Sequence, residues 1–158
     1  MKIRLAQINP IVGNLEYNVG LIKDAITSSE EVDIIVFPEL CVTGYPPQDL
    51  LLDKRFISKT QEALSEIKSC LEDQIAIIGL PRYSREGKLL NSAAIIQNKK
   101  IEGYYSKALL PTYDVFDETR YFTCSDDISP FKVSIKGKEI NIGIQICEDL
   151  WDGNYSLK

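Results

Sequence analysis

Two short apolar runs most constrain the folds open to this chain: VDIIVFP at 32–38 and IAIIGLP at 75–81. Their apolar residues are consecutive rather than alternating, so both faces of each strand must be covered. Each run stops at a proline, which cannot donate to a sheet ladder. Such strands fit a layered fold with structure on either side of a sheet.

The surrounding pattern fills in those layers. Residues 2–8 read as a short strand closed by Asn9-Pro10. Asn14 is a helix N-cap, and Leu15, Val19, Ile22 and Ile26 follow helical spacing, which predicts a helix over 15–29. A second helix is predicted over 56–72. The pattern then changes to antiparallel strands at about 81–84, 89–97 and 101–107, turning at Glu86-Gly87 and Lys99-Lys100. A last hairpin joins 131–135 to 139–146 through Lys136-Gly137, and its second strand runs straight into Cys147. The expected class is α/β with a mixed sheet.

At 158 residues there is room for one domain with a real core but not for two full-sized ones. With 44% hydrophobic and 26% charged residues, disorder as the main state is excluded. The net charge of −5 and the lack of any basic cluster argue against a nucleic-acid partner. No apolar run approaches the roughly 18 residues of a membrane span. The N-terminus lacks a signal-peptide pattern, so a cytoplasmic location and no membrane association are expected. The four cysteines form no CxxC pair, so no metal site is expected, and at least two should be plain buried thiols.

The chain contains no histidine. A Ser-His-Asp triad, a Cys-His dyad and a His-ligated metal are therefore excluded, and any nucleophilic chemistry needs a carboxylate or a lysine as its base. Three reactive residues follow predicted strands, where α/β sheets place their ligands: Glu39, Lys107 and Cys147. Taken singly, each has a plainer reading as a capping acid, a solvated lysine or a buried thiol. Together they form a working set, because a free thiol with pKa near ~8.5 needs a base or a cation to react at neutral pH.

The segments FPELCVTGYPPQDLL (37–51), KALLPTYDVFDETRYF (107–122) and IGIQICEDLW (142–151) resemble the three signature stretches of the nitrilase, or carbon–nitrogen hydrolase, superfamily. The resemblance implies an α-β-β-α sandwich, of which this chain would be the N-terminal portion. It also implies catalytic roles for Glu39, Lys107 and Cys147. GYPPQDLL, LPTYDVFDETRYF and ICEDLW are most similar to the glutaminase branch found in glutamine-dependent NAD+ synthetases. That branch implies glutamine as substrate, with Tyr113, Phe116 and Glu148 shaping its pocket and Glu118 orienting the lysine. The glutaminase step needs no cofactor. ATP and Mg2+ would belong to a C-terminal synthetase domain that uses the released ammonia, and homo-oligomerisation through paired sandwiches is implied. Two alternatives stay open: a stand-alone amidase acting on another small amide, and a catalytically incomplete structural fragment.

Overall fold

The computed structural model describes residues 1–29, 31–127 and 129–151. Helix α1 (Leu15–Thr27) begins where the Asn14 side chain accepts from the Tyr17 N–H at 3.1 Å, as the cap pattern predicts. Helix α2 (Lys54–Ser69) starts two residues earlier than expected, because Asp53 caps it by accepting from the Arg55 N–H at 2.8 Å. Val19, Ile22 and Ile26 on α1 and Ile57, Leu64 and Ile67 on α2 are buried, so each helix offers one apolar stripe. No helix among the described residues is long and apolar enough to cross a membrane.

Five strands form the main sheet in chain order: β1 (Ile3–Leu5), β2 (Ile34–Val36), β3 (Ile75–Tyr83), β4 (Leu89–Gln97) and β5 (Lys100–Ser106). The β1, β2 and β3 pairings are parallel, and those of β3, β4 and β5 are antiparallel, so the sheet is mixed as expected. One face packs Ile35, Ala76, Ile78, Leu80, Ala94 and Ile96 beneath the helices. The other face packs Ile34, Ile77, Ala93, Ile95 and Tyr105 against a hairpin of β6 (Phe131–Ile135) and β7 (Lys138–Ile142). The described residues thus make three layers, α, β and β, and the predicted two-sided burial of 32–38 and 75–81 follows from them.

Four details depart from the sequence-based expectation. First, Pro81 does not end a strand. Odd-numbered residues of β3 point their backbone polar groups toward β2, as shown by Phe37 N–H donating to Ile77 O and Val42 N–H donating to Gly79 O. The β2 pairing stops at Ile77, so the N–H that Pro81 lacks has no strand to serve, and β3 runs on to Tyr83. Second, the strand before Cys147 stops at Ile142, the partner of Phe131 at the start of β6. Residues 143–146 continue unpaired, held instead by burial of Ile144 and Ile146 between the sheets. Third, the turn between β4 and β5 lies at Asn98-Lys99, both left-handed, one residue before the predicted position. Fourth, of the four cysteines only Cys41 is fully buried, not two or more; Cys70 is half-buried, and Cys124 and Cys147 are exposed.

Candidate active site

Glu39 owes its place to a close crossing of backbones. The chain leaving β2 passes directly over Gly79 of β3, where a Cβ would come within 2.5 Å of Leu40 N and Pro38 O. Only glycine allows this approach. Leu40, fully buried, takes a left-handed φ of 49°, which turns the preceding Glu39 across the sheet.

Lys107 directly follows β5. Its N–H donates to Asn91 O at 2.8 Å, and Ser92 pairs with Ser106, so Lys107 stands opposite Asn91 across the strands. Asn91 Nδ2 donates to Glu39 Oε1 at 2.7 Å. Lys107 Nζ lies 2.8 Å from the same oxygen and 2.9 Å from both oxygens of Glu118. Glu118 also accepts from the Tyr45 hydroxyl at 2.9 Å. The Lys107 ammonium is completely buried between the two carboxylates. Burial works against its charge, but Glu39 and Glu118 outweigh that and hold its pKa above the ordinary lysine value. The Glu118 carboxyl is pushed up by burial, and Lys107 offsets this only in part.

Cys147 opens a short turn (Cys147–Leu150) with a left-handed φ of 47°. It shares with Glu39 the lining of a cavity of about 160 Å3, walled by Phe37, Pro38, Ala93 and Ile146. Partial desolvation and the Glu39 charge raise the thiol pKa, against the opposing pull of Lys107. The surroundings of the Cys147 sulfur thus favour the protonated thiol over the thiolate.

The residues singled out by resemblance gather beside this set. Tyr113 donates its hydroxyl to Glu148 Oε2 at 2.7 Å, next in sequence to Cys147. Tyr113 meets Phe116 edge-on, with ring centroids 5.7 Å apart. Phe116, Glu118 and Tyr45 line a second cavity of about 300 Å3. Three contributors were missed in the sequence. Asn91 carries a weak signal, as a polar residue inside a largely apolar strand. Asp149 is fully buried and accepts four hydrogen bonds, but in sequence it looks like a loop acid. Tyr45 has no local signal at all.

Comparison with known proteins bears on the family and the fold. The carbon-nitrogen hydrolase family model matches residues 2–158. A glutamine-dependent NAD(+) synthetase of Xanthomonas campestris is 38% identical over 154 residues, covering 96% of this chain and 27% of the relative. The structure of a glutamine-dependent NAD+ synthetase from Acinetobacter baumannii superposes with a TM-score of 0.85 at 32% identity, over 97% of this chain and 28% of that one. An amidase from Nesterenkonia sp. shares the fold, with a TM-score of 0.75 at 21% identity over 95% of this chain and 56% of the amidase. The chain spans about a quarter of the length of the curated relatives it matches. With residues 2–158 matched by that family's sequence pattern and its layered fold shared, this chain belongs to the carbon–nitrogen hydrolases.

Proposed function

We propose that the chain hydrolyses the side-chain amide of glutamine, with Cys147 as nucleophile, Glu39 as proton carrier and Lys107 as oxyanion partner. The observation that carries this reading is the contact of Lys107 Nζ with Glu39 at 2.8 Å, beside a thiol that shares the Glu39 cavity. Glutamine is favoured over other amides because relatives 38–39% identical bear the name glutamine-dependent NAD(+) synthetase.

The Glu39 carboxylate takes the Cys147 proton as sulfur bonds to the amide carbon. The oxyanion is met by Lys107 and a backbone N–H, that of Glu148. Collapse breaks the C–N bond, and Glu39 returns the proton to the departing ammonia. Water, deprotonated by Glu39, attacks the thioester, and Cys147 leaves with its proton restored. The products are glutamate and ammonia. Tyr113, Phe116 and Glu148 hold the amino-acid end of the substrate, and Glu118 orients Lys107. In this reading the ammonia passes to an ATP- and Mg2+-dependent synthetase domain lying in the part of the relatives that this chain does not span. It is used there to amidate deamido-NAD+ in a homo-oligomeric cytoplasmic enzyme.

The test compares ammonia release from glutamine, asparagine and propionamide, with mass spectrometry of the Cys147 peptide during turnover. Preference for glutamine and a glutamyl adduct on Cys147 are expected. Preference for propionamide would favour a general amidase. Release without any Cys147 adduct, persisting in Cys147→Ala, would remove Cys147 from the mechanism. A glutamine-shaped chloroketone that labels Cys147 no faster than Cys124 would point to a structural fragment.

A further inference from the structure

Asp149 is fully buried, yet none of the ion pairs among the described residues includes it. An isolated carboxylate in such a place is costly unless donors surround it. Four do. Oδ2 accepts from the Tyr105 hydroxyl at 2.6 Å and from the Ile146 N–H at 3.0 Å. Oδ1 accepts from the N–H groups of Ala108 at 3.2 Å and Leu109 at 2.9 Å.

The identity of these donors is informative. Ile146 directly precedes Cys147. Ala108 and Leu109 directly follow Lys107, and Tyr105 stands two residues before it. The Asp149 N–H also donates back to Ile146 O at 3.1 Å, closing the turn around Cys147 from both sides. That turn includes the left-handed Cys147, a conformation that costs about 1–2 kcal/mol without support. β5 and the Cys147 turn come from distant parts of the chain, and among the described residues no backbone-to-backbone hydrogen bond joins one to the other. The Asp149 carboxylate does.

We infer that Asp149 is a positioning residue that sets the distance and angle between the Cys147 sulfur and the Lys107–Glu39 pair by clamping the two backbones that carry them. The inference rests on the proposed roles of Cys147 and Lys107. It needs both carboxylate oxygens as acceptors. Asparagine has only one acceptor oxygen, so in either orientation its NH2 group faces a backbone N–H, that of Ile146 or those of Ala108 and Leu109.

The experiment uses Asp149→Asn and Tyr105→Phe in the whole protein. It reads three quantities: the melting transition, kcat and KM for glutamine, and the pH profile of Cys147 labelling by iodoacetamide. For Asp149→Asn we expect a cooperative melt and a kcat lowered about 10- to 100-fold, the scale expected for a misplaced reacting group. KM should change far less. The labelling profile of Cys147 should move toward that of the same peptide in the urea-unfolded chain. Tyr105→Phe removes one donor of four and should shift kcat and labelling the same way by a smaller factor. It remains decisive if the asparagine variant does not fold. Unchanged kcat and labelling in either folded variant, or losses no larger than the unfolded fraction, would overturn the inference. If the parent protein hydrolyses no glutamine, the proposed function fails, while the labelling comparison still judges the role of Asp149.

Discussion

Asn91 Nδ2 lies 2.7 Å from Glu39 Oε1, the oxygen that also accepts from Lys107 Nζ at 2.8 Å. Both contacts fall on Oε1, so proton carriage in the proposed reaction falls to Oε2. Asn91 and Lys107 face each other across β4 and the end of β5, and the two side chains hold the carboxylate as a two-point clamp. Asn91→Ala should therefore lower kcat about 10- to 100-fold, the kinetic equivalent of losing one hydrogen bond to a charged group worth about 1.5–3 kcal/mol. Steady-state kinetics on a variant shown to melt normally would check this. An unchanged kcat would mean that Lys107 alone orients Glu39.

Gly79 and Gly20 make a contrasting pair. A methyl group at Gly79 meets backbone atoms at 2.5 Å, whereas one at Gly20, inside α1, meets nothing within 4 Å. Gly79→Ala should destabilise by about 1–3 kcal/mol or more and displace Glu39. Gly20→Ala should stabilise by about 0.5–1 kcal/mol through helix propensity alone. Chemical denaturation of both variants gives the comparison, and a neutral Gly79→Ala would contradict the described crossing.

Lys107→Met leaves Glu39 and Glu118 facing each other without their cation. The expected loss is about 3–5 kcal/mol near neutral pH, as for other broken buried pairs. The sign of its pH dependence follows from Glu118, whose folded pKa is already raised and should rise further without Lys107. The folded variant then binds more protons than the unfolded chain, so its stability recovers as pH falls into the carboxylate range. In the parent protein the lysine has the raised folded pKa. Its contribution is complete below the ordinary lysine value of 10.5 and disappears as pH rises through the folded value. Urea titrations across pH would show both proteins losing stability as pH rises, the variant in the carboxylate range and the parent in the lysine range.

Cys147 should behave as a protonated thiol toward a neutral electrophile. Its alkylation rate should still be climbing above the ordinary thiol range, because its pKa is raised. Turnover of an amide should not share that alkaline climb, since Glu39 removes the proton during attack. A labelling rate that levels off below neutral pH would instead reveal a standing thiolate and would make Lys107 the dominant influence.

Tyr113→Phe removes the hydroxyl that holds Glu148 Oε2 at 2.7 Å. The pair is exposed, so the expected effect is a several-fold rise in KM for glutamine with little change in kcat, the scale of one modest hydrogen bond. A fall in kcat with KM unchanged would place Tyr113 closer to the reacting amide than this pairing suggests.

Much of the architecture could be read along the chain because it depends on local patterns. Asn14 is a cap whatever α1 packs against, and consecutive isoleucines at 34–35 and 77–78 need cover on both faces in any fold. The lack of histidine, with Glu39, Lys107 and Cys147 each following a predicted strand, narrows the chemistry from the sequence alone. Tertiary structure alone decided what depends on register and on segments meeting from afar. Pro81 sits inside a strand because β2 is too short to need its missing N–H. Lys107 is buried rather than solvated because Glu39 and Glu118, 68 and 11 residues away in sequence, converge on its ammonium. Asn91 and Asp149 have no periodicity to announce them, since each gains its role from partners that only the folded sheet brings within hydrogen-bonding distance.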